Sequence, residues 1–130
     1  MTLTYVYTLF LSSNSTFDNL FKKSSQAKQK HQSGLIQMGH SFLTQDNKVM
    51  ARNCFLDASI YGQTRDVALG LGRVELMNGE LAEALSSFRL AEDYDKKYPL
   101  SYVMQIQLHL KQKNIQDAVS VARRGLNRFF

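Results

Sequence analysis

Beyond about Gln32, apolar residues return three and four positions apart in segments that are separated by short polar turns, which is the pattern of amphipathic helices. The pattern predicts helices over 34–44, 48–60, 65–77, 81–95, 99–112 and 115–128. Their turns fall at Gln45-Asp46-Asn47, at Asn78-Gly79 and at Lys113-Asn114. Gly79 supplies the left-handed conformation that ends a helix, and Pro99 fits the first position of one, where its missing N–H costs nothing.

The pattern also recurs. An interval of 33 residues carries Gly39 to Gly72, Ala51 to Ala84, Phe55 to Phe88 and Ala58 to Ala91, and Ala118 lies 34 residues beyond Ala84. Small residues at fixed points of paired amphipathic segments are where helix backbones approach closely, so the recurrence predicts stacked helical hairpins. Large side chains at Phe42, Phe55 and Phe88 would fill the space beside those contacts.

The first 31 residues read differently. Residues 1–11 are rich in Thr, Tyr, Val and Phe and favour an extended segment. Ser12 to Thr16 is a polar breaker, and Ser15 or Thr16 would cap a short helix with Phe17, Leu20 and Phe21 on one face. Lys22 to Ser33 is polar, with only Ala27 to bury. Residues 1–31 are thus expected to be a flexible N-terminal extension, and 32–130 a helical domain. The apolar start lacks a nearby Lys or Arg and an A-x-A site, which argues against an export signal. Asn14-Ser15-Thr16 matches a glycosylation acceptor, which matters only for a secreted chain.

Composition narrows the class. A chain of 130 residues with 44% hydrophobic content can build one core without disulfides or metal. The lone Cys54 reads as a small reduced hydrophobe and fits a reducing, cytoplasmic setting. No run of eighteen apolar residues exists, so no membrane-spanning helix is expected. The net charge of +5 is uneven: +3 over 1–31, 0 over 32–64, −2 over 65–98 and +4 over 99–130. Both ends are basic, and the middle is acidic.

Catalysis finds little support. His31, His40 and His109 are far apart, and none pairs with another metal ligand at helical spacing. Gly70-Leu71-Gly72 begins like a nucleotide fingerprint, but Glu75 replaces the third Gly and no strand precedes it. The chain is therefore read as a non-enzyme that carries neither cofactor nor metal.

The recurring residues resemble the tetratricopeptide repeat. The first copy has Leu35, Met38-Gly39, Phe42, Ala51, Phe55 and Ala58, and the second has Ala68, Leu71-Gly72, Ala84, Phe88 and Ala91, with Glu75 where an aromatic is expected. The third is degenerate: Tyr102, Gln105-Ile106 and His109, then Ala118, Ala122 and Gly125. The resemblance covers about residues 32–130. It implies an all-α fold, a right-handed superhelical stack of three hairpins whose first helices line a concave face.

Carried over position by position, the resemblance implies a partner-binding groove. Its rows are Ile36, Leu69 and Val103, then His40, Arg73 and Gln107, then Leu43, Leu76 and Leu110, with a rim of Thr44, Met77 and Lys111. Two rows are apolar throughout, which suggests a trough for an apolar segment of a client protein, with the polar row holding the peptide's polar groups. Packing within the chain is the competing account. In size, number of hairpins and N-terminal extension the chain is similar to small tetratricopeptide chaperones of bacterial type III secretion.

The expected function is thus that of an adaptor or chaperone, and the alternative is a helical-repeat nucleic-acid binder that uses its basic ends with Tyr5 and Tyr7. Aliphatic rows favour the peptide, since bases want aromatic platforms and phosphates want Lys or Arg. A homodimer or an obligate partner is a further expectation. The last helix either turns Val119, Ala122 and Leu126 inward or meets a second subunit through its flank and Phe129-Phe130.

Overall fold

A computed structural model describes residues 3–130, with the side chains of 3–15 and of Phe17 outside the described set. The chain is all-α. Its helices are α1 (Leu3–Thr44), α2 (Lys48–Ser59), α3 (Arg65–Met77), α4 (Leu81–Tyr94), α5 (Pro99–Lys111) and α6 (Ile115–Phe129). α1 packs along α2, α3 along α4 and α5 along α6, while α2–α3 and α4–α5 contacts join successive hairpins and α1 also touches α3.

Local chemistry explains the boundaries. Asn47 accepts a bond from Met50 N (3.2 Å) at the start of α2, Thr64 accepts one from Val67 N (3.4 Å) at the start of α3, and Pro99 opens α5. The three hairpin turns share one backbone design. Asn47 N donates to Phe42 O, Glu80 N to Glu75 O and Asn114 N to His109 O, each at 2.8 Å. Just before each donor, Asp46, Gly79 and Lys113 are left-handed, with φ of 58°, 77° and 62°. This is the six-residue closure that satisfies the orphan carbonyls of a helix end, and it recurs at the 33- and 34-residue spacing of the sequence.

The N-terminal third departs from expectation. Neither an extended segment nor a cap at Thr16 is present, because α1 is one helix of 42 residues, about 63 Å long at 1.5 Å per residue. No Pro or Gly occurs before Gly34, so nothing in the chain stops the helix once the hairpin has set its register. α2 and its turn are tied to α1 at His31 and Gln32: the Gln32 amide donates to Ala58 O (3.0 Å) and Gly62 O (2.7 Å), and the His31 ring meets Tyr61 edge-on at 5.2 Å. Earlier turns run past the hairpin, and of residues 18–30 only Ser25 is even half-buried. The expected roles of Tyr5, Tyr7, Phe17 and Asn14-Ser15 fall on side chains outside the described set.

Two clusters form the core. One joins Leu43, Ala51, Phe55 and Val74, and the other joins Ala68, Leu69, Ala84, Phe88, Ala91 and Leu108. The small residues sit under the rings. A Cβ on Gly39 would stand 2.7 Å from the Phe55 ring, and one on Gly72 2.6 Å from the Phe88 ring. Both glycines of Gly70-Leu71-Gly72 are therefore helix-contact residues. Cys54 is buried and free, and burial, with the nearby Asp57 charge adding to it, holds its thiol above the ordinary range. Among the described residues no helix is long and apolar enough to cross a membrane.

Candidate protein-binding face

The two apolar rows expected to line a trough do not form one continuous open surface. Leu43 is 6% exposed and closes the first core cluster against Val74, while Leu69 is 4% exposed and packs in the second with Leu108. Ile36 and Leu76 are half-buried against the same clusters. These four leucine and isoleucine side chains hold hairpin to hairpin and have little surface to offer a partner. The physical reason is that a position on the first helix of one hairpin is covered by the hairpin that follows.

On the third hairpin the same rows are open. Val103 is 43% exposed and Leu110 53% exposed, although they stand at the positions of Leu69 and Leu76. With Ile106 they form one face of α5 at i, i+3 and i+7. Beside it α6 presents Ile115, Val119, Leu126 and Phe129, all exposed. Val119 and Leu126 are thus not turned inward. The inward positions of α6 are Ala118, Val121 and Gly125. Between the helices lies an apolar hollow of about 280 Å³, walled by Tyr102, Val103, Ile106, Ala122, Leu126 and Phe129 among others.

A change of packing style makes this hollow. The first two hairpins set a ring at Phe55 and Phe88 against Gly39 and Gly72, whereas the equivalent positions in the third hold Ala122 and Ile106. Bulk has moved from the second helix to the first, and the space over Ala122 is left open.

A polar network around the buried Glu92 holds α6 against its neighbours. Arg124 donates from Nε to Glu92 Oε2 (2.8 Å) and from Nη2 to Glu92 Oε1 (2.9 Å), and Gln105 donates to Glu92 Oε1 (2.9 Å). Burial alone would raise the Glu92 carboxyl, but the hydrogen bonds from Arg124 and Gln105 outweigh it and hold the group below the usual carboxylate range. α4, α5 and α6 are therefore tied through one carboxylate.

The predicted polar row is partly assembled. Arg73 Nη1 lies 3.4 Å from His40 Nδ1, and the His40 ring stands edge-on to Phe55 at 5.1 Å. Burial, then the Arg73 charge, lowers the His40 pKa, with Asp66 opposing. Arg73 and Gln107 are exposed.

No protein-family model matches the chain, and no curated protein matches it.

Val103 and Leu110, expected in a groove shared by three hairpins, lie on an open flank with Ile106 and Ile115, which the expected rows did not include. The signal was available. Ile115, Val119, Ala122, Leu126 and Phe129 return at helical spacing beside, and not upon, the buried stripe of Ala118, Val121 and Gly125.

Proposed function

We propose that this chain is a tetratricopeptide-like binding module, an adaptor or chaperone that holds an apolar segment of another protein on the flank formed by α5 and α6. The observation that carries the reading is the change in exposure from Leu69 at 4% to Val103 at 43%, two residues at equivalent positions. Exposed aliphatic and aromatic side chains grouped around a hollow are characteristic of surfaces that bind protein. Support for the tetratricopeptide-like stack comes from the sequence recurrence together with the three identical turn closures. The exposed Arg73 and Gln107 lie on α3 and α5 and would meet polar groups of a longer client.

A displayed peptide library selected against the immobilised chain tests this. Apolar peptides should be enriched by the native chain and lost with the Val103→Glu, Leu126→Glu double variant, whose circular dichroism should stay helical. Equal enrichment by both proteins would place binding elsewhere and sink the reading.

A further inference from the structure

We infer that the α5–α6 flank receives a single amphipathic helix of another protein, one whose apolar stripe is bordered by acidic residues and which presents a large apolar side chain to Ala122. The inference rests on the protein-binding reading above and makes it specific.

The shape of the occupant comes from the chain itself. The groove equivalent to this one in the first hairpin is filled by helix α3, and the groove in the second hairpin is filled by helix α5. Helix-into-groove packing is thus what these surfaces do. At the first junction the groove offers the Phe55 ring and the incoming helix answers with Gly70, which has no room for a Cβ. At the third, the groove offers Ala122 beneath a hollow of about 280 Å³, so the incoming helix must answer with bulk.

The charge of the occupant comes from the surroundings. Lys111, Lys113, Arg123 and Arg128 are exposed on the final hairpin, while Asp117 is the only acidic residue in 99–130. Arg123 borders the apolar stripe directly, sharing a hollow with Ile115 and Val119. A second copy of this chain fits poorly: flank against flank would bring the same basic residues together, and the helical overhang of α1 carries Lys22, Lys23, Lys28 and Lys30. Acidic borders on a foreign helix answer the field, and like charges do not.

Fluorescence anisotropy with the full chain and three labelled peptides of about twenty residues provides the test. All three carry the same leucine stripe; one has glutamates beside it, one lysines, and one glutamates with a central proline that breaks the helix. The glutamate-bordered helix should bind, with the lysine-bordered and proline-broken peptides about tenfold or more weaker. Ala122→Phe, which fills the hollow without adding charge, and Leu126→Glu should each weaken it about tenfold or more while the circular dichroism is unchanged. Equal binding of the proline-broken peptide, abolished by Leu126→Glu, would overturn the helix and leave the protein-binding reading standing. Equal binding of the lysine-bordered peptide would overturn the charge argument and the inference with it. A dimer in light scattering that Leu126→Glu dissociates, with no peptide bound, would assign the flank to a second copy. Binding of none of the peptides, with adsorption to vesicles of anionic lipid, would overturn both the inference and the reading beneath it.

Discussion

The Phe55 ring is pressed against both Gly70 of the next hairpin and Gly39 of its own, so that neither glycine has room for a methyl group. One side chain of α2 therefore sets the distance of α2 from both α1 and α3. Gly70→Ala should lower stability by about 1–3 kcal/mol, because the ring has no free space into which to retreat. Urea unfolding measures this. In the double variant Gly70→Ala, Phe55→Leu the two costs should be less than additive, since the smaller side chain relieves the clash that the methyl creates. Strict additivity would mean that the two residues do not bear on each other.

Equivalent positions should respond differently to the same substitution. Leu69→Glu places a charge inside the second core cluster and should cost about 3 kcal/mol or more. Val103→Glu, 34 residues later, should stay within about 0.5 kcal/mol of the native chain, because the side chain already faces water. Thermal melts of the two variants distinguish a core row from a surface row. Similar losses in both would show that α5 is covered.

Helix ends and hairpin partners were legible because caps, turns and the glycine–ring recurrence are local signals that the sequence carries in full. Pro99 and Gly79 each start or stop a helix through their own chemistry. Two features were not legible. Whether Leu43 or Leu69 faces a partner or a neighbouring hairpin depends on how far the next hairpin leans over it, a tertiary fact with no mark in the side chain itself. The continuity of α1 was hidden by Thr, Val and Ser, residues of modest helix propensity, which tertiary anchoring at His31 to Thr44 overrides.

His109 is 3% exposed, and neither of its ring nitrogens has a hydrogen-bond partner. Its equivalents explain the defect. In the second hairpin Glu75 receives a bond from Ser87 (3.0 Å), and in the first the position is Phe42, which asks for none. In the third, the residue 34 places after Ser87 is Val121, which can neither donate nor accept. A buried polar group without a partner costs about 1–3 kcal/mol, so His109→Phe should raise stability by about 1 kcal/mol. Chemical denaturation of the variant checks this, and a loss of stability would indicate that a bridging water serves the ring.

Two glutamates, Glu92 buried and Glu75 half-buried, should give opposite pH signatures. The hydrogen bonds of Arg124 and Gln105 overcome burial and lower the Glu92 pKa in the folded chain, so the unfolded chain binds its proton more readily. Its contribution is complete above the ordinary glutamate value of about 4.3 and fades as pH falls through the range below it. Glu75 is the reverse: burial, only partly offset by Ser87 and Arg52, raises its pKa. Its folded form favours the proton, so whatever stability it adds is present below the ordinary value and is lost as pH rises through the folded one. At pH 7 the half-buried charge is then a cost. Glu92→Gln should therefore lose about 2 kcal/mol at pH 7, with the deficit shrinking towards pH 3. Glu75→Gln should gain up to about 0.5 kcal/mol at pH 7 and nothing at pH 3. Urea titrations of the three proteins at both pH values decide the matter. If the Glu92→Gln deficit were the same at both, the Glu92–Arg124 bond would not be the electrostatic tie that fixes α6 against α4.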